Sequence, residues 1–259
     1  MRYPQLSSGA LAQYGVRRGR RAGISRVELA GGAVVQGPPS DAQWVEWDFA
    51  YRGLNCGEAG AIRDLFDSCQ GKLGSFWFVD PMANLLRDTE NLTGDGWETD
   101  AGVLVNALAW DGDLRGQVHS VSNGDDSVAG VWQTLQIDRG YQYALSCYAR
   151  GGTVTLSAIG LGPQVSVAES AGAVWRRLWL PVRLEEEGLG LTCGFCVEPG
   201  ASVEVCGLQL EAQAAPGGYK ASSLSGAIFS DARFGMDELT MVAEDEGSFR
   251  ADVKIYCGI

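Results

Sequence analysis

The 259-residue chain is 46% hydrophobic, enough for one large β domain or two smaller ones, and its 36 glycines suit strands and turns better than helices. A formal net charge of −12 excludes a nucleic-acid-binding surface over most of the chain. No run reaches the ~20 apolar residues that cross a membrane as a helix. Residues 1–15 lack the apolar core of a signal peptide, so synthesis and assembly in a cytoplasm are expected.

The basic region comes first. Arg17, Arg18, Arg20, Arg21 and Arg26 precede the first acidic residue, Glu28. Two readings fit: an edge strand blunted by charge, or a strip that docks on an acidic neighbouring subunit. A groove for single-stranded nucleic acid would interleave aromatics with these arginines, and none do. Residues 24–37 read as a hairpin around Gly31-Gly32. Residues 43–51 alternate, with Val45, Trp47, Phe49 and Tyr51 on the buried face and Trp44, Glu46 and Asp48 on the other. Ala59, Ile62, Leu65, Phe66 and Cys69 then fall at helical spacing. Asn55 is placed to cap that helix, Glu58 stands in its first turn, and Gly71 ends it. Residues 76–79 make a short buried strand closed by Asp80-Pro81.

From Asn84 the texture changes. Eight short alternating runs follow, at 102–110, 116–122, 130–137, 141–150, 153–160, 173–184, 189–198 and 201–212, separated by Gly, Asp and Asn turns. That is the pattern of a β-sandwich or jelly roll. Residues 215–223, rich in Pro, Gly and Ser, read as a linker. Residues 239–243 and 249–255 alternate around Glu246-Gly247, a hairpin too small to stand alone. It is expected to complete the sheet left open at residue 82. Residues 84–222 are then a guest inserted into a domain made of 1–82 and 226–259.

Little points to catalysis. The one histidine, His119, alternates with Val118 and Val121 as an ordinary strand residue, and no second imidazole exists for a metal site. The odd count of seven cysteines suits reduced thiols. Cys193 and Cys196 have C-x-x-C spacing but lie in an alternating run, as buried small hydrophobes would. Glu185, Glu186 and Glu187 read as a solvated loop. Asp111, Asp113, Asn123, Asp125 and Asp126 cluster near turns, where they serve either as Ca²⁺ ligands or as turn residues. Trp110, Trp132, Tyr148, Trp175 and Trp179 are the candidates for stacking on a sugar, against the alternative that they fill the core. Trp175 and Trp179, four apart, point the same way in a regular strand.

Several phrases resemble bacteriophage tail proteins of the distal-tail or minor-tail kind. They are Tyr3-Pro4, the run 9–14, and Gly74-Ser75-Phe76-Trp77-Phe78-Val79-Asp80-Pro81. The middle segment is similar to jelly-roll carbohydrate-binding modules at Asn84-Leu85-Leu86, Trp97, the run 140–150, Trp175-Arg176-Arg177, the run 207–211 and Tyr219. The resemblance implies a mainly β fold with one α-helix, a split tail-type domain carrying an inserted jelly roll. It implies a structural subunit rather than an enzyme, assembled in the bacterial host cytoplasm into the virion tail. Copies would form a ring joining the tail tube to the hub, tip or fibres, with Arg17, Arg18, Arg20 and Arg21 at the subunit interface. An outward module would contact a host surface glycan. No cofactor is implied beyond Ca²⁺, and neither nucleic acid nor membrane insertion is expected. A lectin-like adhesion module with no ring role is the alternative.

Overall fold

The computed structural model describes residues 1–114, 116–184, 188–223 and 226–258, with side chains in all of these except 21–27 and 36–43. Glu185, Glu186 and Glu187 lie outside the described residues, as do the side chains of Arg21 and Arg26. The fold is mainly β, with one α-helix among the described residues. Two compact units emerge. One comprises Met1–Ser7, Leu11–Phe78 and Phe229–Ile259, the other Ser8–Ala10 and Val79–Ile228.

In the first unit, β1 (Arg17–Glu28) and β2 (Val34–Leu54) form one long antiparallel hairpin. Gly32, at φ 78°, supplies the left-handed residue its turn requires. The alternation at 43–51 is part of this longer strand: Val45, Trp47, Phe49 and Tyr51 are buried, while Trp44, Glu46 and Asp48 are half-buried. Helix α1 (Cys56–Ser68) opens on a capping box. Glu58 N–H donates to Asn55 Oδ1 at 2.9 Å, and the Glu58 carboxylate accepts Asn55 N–H at 2.9 Å. The helix buries Ala59, Ile62 and Leu65. Gly71, at φ 65°, closes it by donating to the Phe66 carbonyl at 3.0 Å. Strand β3 (Phe76–Val79) completes an aromatic core, where Tyr3, Trp47, Phe49, Phe76 and Phe78 meet with centroids 4.8 to 6.1 Å apart.

At Asp80 the chain leaves this unit. The Asp80 carboxylate takes Met82 N–H at 2.9 Å, and Asp80 N–H donates to the Ala227 carbonyl at 2.9 Å. The outgoing and returning segments therefore run side by side. Asn84 is buried and uses its full hydrogen-bonding capacity. Its oxygen accepts Leu86 and Leu210 N–H, and its amide donates to the Leu208 and Lys220 carbonyls.

Ten strands follow: β4 (Glu98–Thr99), β5 (Val103–Asp111), β6 (Gly116–Asn123), β7 (Ala129–Asp138), β8 (Gln142–Arg150), β9 (Gly152–Ile159), β10 (Val165–Ala171), β11 (Arg176–Arg183), β12 (Leu189–Val197) and β13 (Ser202–Glu211). They make two five-stranded sheets, ordered β11-β8-β13-β6-β5 and β10-β9-β12-β7-β4. Strand β6 pairs with β13, β7 with β12, β8 with β11 and β9 with β10, all antiparallel. A long hairpin of strand pairs rolled into two sheets is a jelly roll. Leu145, Leu156, Leu178, Phe195 and Val205 are among its fully buried residues. Strand β10 lies outside the eight alternating runs for a physical reason: Ser166, Ala168 and Ser170 are exposed and only Ala171 is fully buried, so no apolar face marks it.

One expectation is corrected here. Residues 215–223 are not a free linker but are bonded along the jelly roll. Gly217 N–H and the Lys220 amine both reach the buried Glu211 carboxylate, at 2.7 and 2.6 Å, and Lys220 N–H reaches Gln209 at 2.7 Å. A buried carboxylate requires donors, and small residues let the backbone come close enough to supply them.

The chain then returns through β14 (Ile228–Phe234), β15 (Met241–Asp245) and β16 (Ser248–Gly258). In the first unit's sheet the order is β1-β2-β16-β14-β3, with β15 paired to β16. The returning strands thus stand between β2 and β3, with Val253 opposite Phe49 and Ile255 opposite Trp47.

Candidate functional site

The jelly-roll sheet β11-β8-β13-β6-β5 turns one face inward. Along β11, Leu178, Leu180 and Val182 are buried, so Arg177, Trp179, Pro181 and Arg183 line the outer face. Register sets Tyr148 of β8 opposite Arg177, and Ser146 opposite Trp179. Arg150, also on β8, pairs with Glu204 of β13. The Arg150 guanidinium holds one Glu204 oxygen at 2.6 and 2.7 Å and lies 4.5 Å over the Trp175 ring. The Arg177 guanidinium lies 5.4 Å over the Tyr148 ring and donates to Ser146 Oγ at 3.1 Å. Trp179 is 39% exposed.

This outer face is concave. Strands β5 and β11 are opposite edges, four steps apart, which is about 19 Å in a flat sheet. Yet Trp175, just before β11, donates its indole N–H to Asp111, at the end of β5, over 3.2 Å. The end of β5 folds over the sheet at a register break between Ala107 and Trp110. A cleft of about 300 Å³ lies at the Arg150–Glu204 end of this face, lined also by Ser120, Gly151, Ala173 and Ser202; Tyr148, Trp175, Arg177 and Trp179 do not line it.

Asp111 is also a turn residue. One carboxylate oxygen takes Leu114 N–H at 2.9 Å and Asp113 N–H at 3.0 Å. The Leu114 bond above all, then the bonds from Asp113 and Trp175 and the charge of Arg150, holds its carboxyl below the usual range against the opposing effect of burial. Asp111 therefore stays ionised, suited to accept hydrogen bonds rather than to donate a proton.

Of the five aromatic candidates, Tyr148, Trp175 and Trp179 share this face. Trp132 lies on the other sheet, where its indole donates to Asp100 at 2.9 Å. Trp110, 56% exposed, sits on edge strand β5 beyond the register break. None of the five is a core residue; Trp97 is the buried tryptophan of this unit, donating to the Asp88 carbonyl at 3.1 Å. Arg150, Arg177 and Glu204 were not singled out as a ligand set. Arg177 was visible through its alternation with Trp179, whereas the Arg150–Glu204 pair spans 54 positions and leaves no local signal.

Elsewhere, Asp113, Asp125 and Asp126 stand in turns, and Asp125 N–H bonds to Asn123. Among the described residues no group of three His, Cys, Asp or Glu converges to hold a metal. Cys193 and Cys196 are buried in β12, and burial pushes their thiols up to about 12 and about 11. In the first unit, Arg17, Arg18 and Arg20 are exposed on β1, the edge strand of its sheet, and Arg21 lies on the same strand opposite Trp44.

No protein-family model matches the chain, and no curated protein does. Solved structures do. The enzymatically active domain of bacteriophage CBA120 tailspike protein 4 is similar at 14% identity and TM-score 0.41, over 51% of this chain and 22% of that one. The C-terminal family 22 carbohydrate binding module of a Clostridium thermocellum xylanase is similar at 15% identity and TM-score 0.41, over 53% of this chain and 97% of that one. A xylan-binding domain from Paenibacillus barcinonensis is similar at 18% identity and TM-score 0.40, over 52% of this chain and 98% of that one. None of these likenesses bears on what this chain binds.

Proposed function

We propose that this chain is a non-enzymatic structural subunit whose jelly roll holds a glycan on its concave outer face. The observation that carries this is the gathering of Tyr148, Trp175 and Trp179 with Arg150, Arg177 and Glu204 on that face. Aromatic rings offer flat apolar surface to a sugar ring, and arginine and carboxylate groups bond its hydroxyls. Hydrolysis would need a protonated carboxyl opposite an ionised one; Asp111 suits only the ionised member, and Glu204, the carboxylate beside it on this face, is ion-paired with Arg150. A glycan array probed with the full chain tests the proposal. Binding to at least one glycan class is expected, and silence across a broad array would leave the jelly roll as a spacer.

The first unit supports a second, compatible role as the docking part of a virion-tail ring. Its edge strand exposes Arg17, Arg18 and Arg20 on a chain of net charge −12, so a further copy or an acidic tail protein fits there. Light scattering with negative-stain images is expected to give a closed ring, and reversing these three charges is expected to prevent it without unfolding the monomer. A ring formed normally by the reversed variant would discard the arginine role.

A further inference from the structure

The cations of the concave face are not all compensated. Arg150 is paired with Glu204 at 2.6 Å, and Arg183, at the far end of β11, is exposed. Arg177 has no carboxylate partner among the described residues. Its guanidinium is held by Ser146 Oγ and the Tyr148 ring alone, and its Nε is buried with no acceptor. A half-buried cation without a counter-charge is costly, and arginine cannot relieve the cost by losing its proton. In a chain of net charge −12, carboxylates are plentiful, yet none is placed against this one. The acids of this face are already engaged: Glu204 by Arg150, Asp111 by Trp175 and two backbone N–H groups, and Glu211, two residues beyond the Ser146 partner Gln209, by Lys220 and Gly217. Because Ser146 is the register partner of Trp179, the guanidinium reaches to the strand position beside the exposed indole.

We infer that the glycan held here is acidic, a uronate or another carboxylate-bearing sugar whose carboxylate meets Arg177 while its ring stacks on Trp179. Arginine and carboxylate match in shape as well as charge, through two parallel N–H bonds. The inference rests on the glycan reading above and deepens it by naming the ligand's chemistry.

The test is calorimetry on the full chain with galacturonate pentamer, mannuronate pentamer and 3′-sialyllactose, each against its methyl ester. Esterification removes the charge and keeps the ring. At least one acid is expected to bind, with its ester at least about tenfold weaker. Arg177→Gln is expected to bring acid and ester to equal affinity, and Arg177→Lys to restore part of the difference. Acid and ester binding equally would overturn the acidic assignment and leave the glycan reading standing. Neutral oligosaccharides binding where no acid does would overturn it in the same way. Silence toward acidic and neutral sugars alike would remove both. Because the acid–ester comparison uses the unaltered protein, it does not depend on the variants folding.

Discussion

His119 illustrates at the residue scale how burial decides a role. It is buried on β6, and its Nε2 accepts Leu92 N–H at 3.4 Å, which assigns the proton to Nδ1. That Nδ1 has no acceptor. Burial lowers the imidazole pKa below its ordinary 6.5, with the charge of Glu90 and the nearby Gln117 backbone opposing. The native state therefore keeps the ring neutral where the unfolded chain takes up a proton. Stability is full above about 6.5 and falls as the pH drops from there toward the folded value. Melting temperature is expected to drop between pH 7.5 and 5.5, and His119→Gln is expected to flatten that step; an unchanged step in the variant would refute the assignment. The alternation of 116–122 showed His119 as a strand residue. It could not show the bond to Leu92, which joins positions 27 apart.

Among the elements, side-chain hydrogen bonds anchor both the helix and the start of the jelly roll. Asn55→Ala is expected to cost about 1 kcal/mol in denaturant melts, the usual loss of an exposed cap. Asn84→Ala removes a buried amide on which two backbone N–H groups and two carbonyls depend, and is expected to cost roughly 2–5 kcal/mol. Equal costs at the two sites would contradict this reading of Asn84. The cap at Asn55 was legible because its signals, Asn55, Glu58 and Gly71, are local. Asn84 was legible only as the point where the texture changes, since its partners Leu208, Leu210 and Lys220 lie far along the chain. Strands with an apolar face were legible by alternation. Strand β10 was not, and the composition of residues 215–223 hid a segment bonded to Glu211 and Gln209.

For the molecule as a whole, the insertion is the feature with most consequence. Asp80 and Ala227 are hydrogen-bonded, so the jelly roll begins and ends at one place. Strands β14 and β16 pair into the sheet of β1, β2 and β3. Replacing 84–222 by a short Gly-Ser bridge is expected to leave a soluble first unit, judged by a cooperative melt; an aggregated product would count against independent folding. The concave face was only half legible. The i, i+4 spacing set Trp175 and Trp179 together, but the curl that brings Asp111 to Trp175 arises from a register break and from pairing across the whole sheet.

Glycan binding on that concave face is the central claim. Its most direct measurement compares the full chain with Trp179→Ala and Trp132→Ala on one glycan array. The account predicts that Trp179→Ala weakens binding about tenfold, from a lost stacking contact of about 1.4 kcal/mol, and that Trp132→Ala, on the opposite sheet, binds as the parent does. Binding lost with Trp132 and kept without Trp179 would place the ligand on the other sheet and contradict the account.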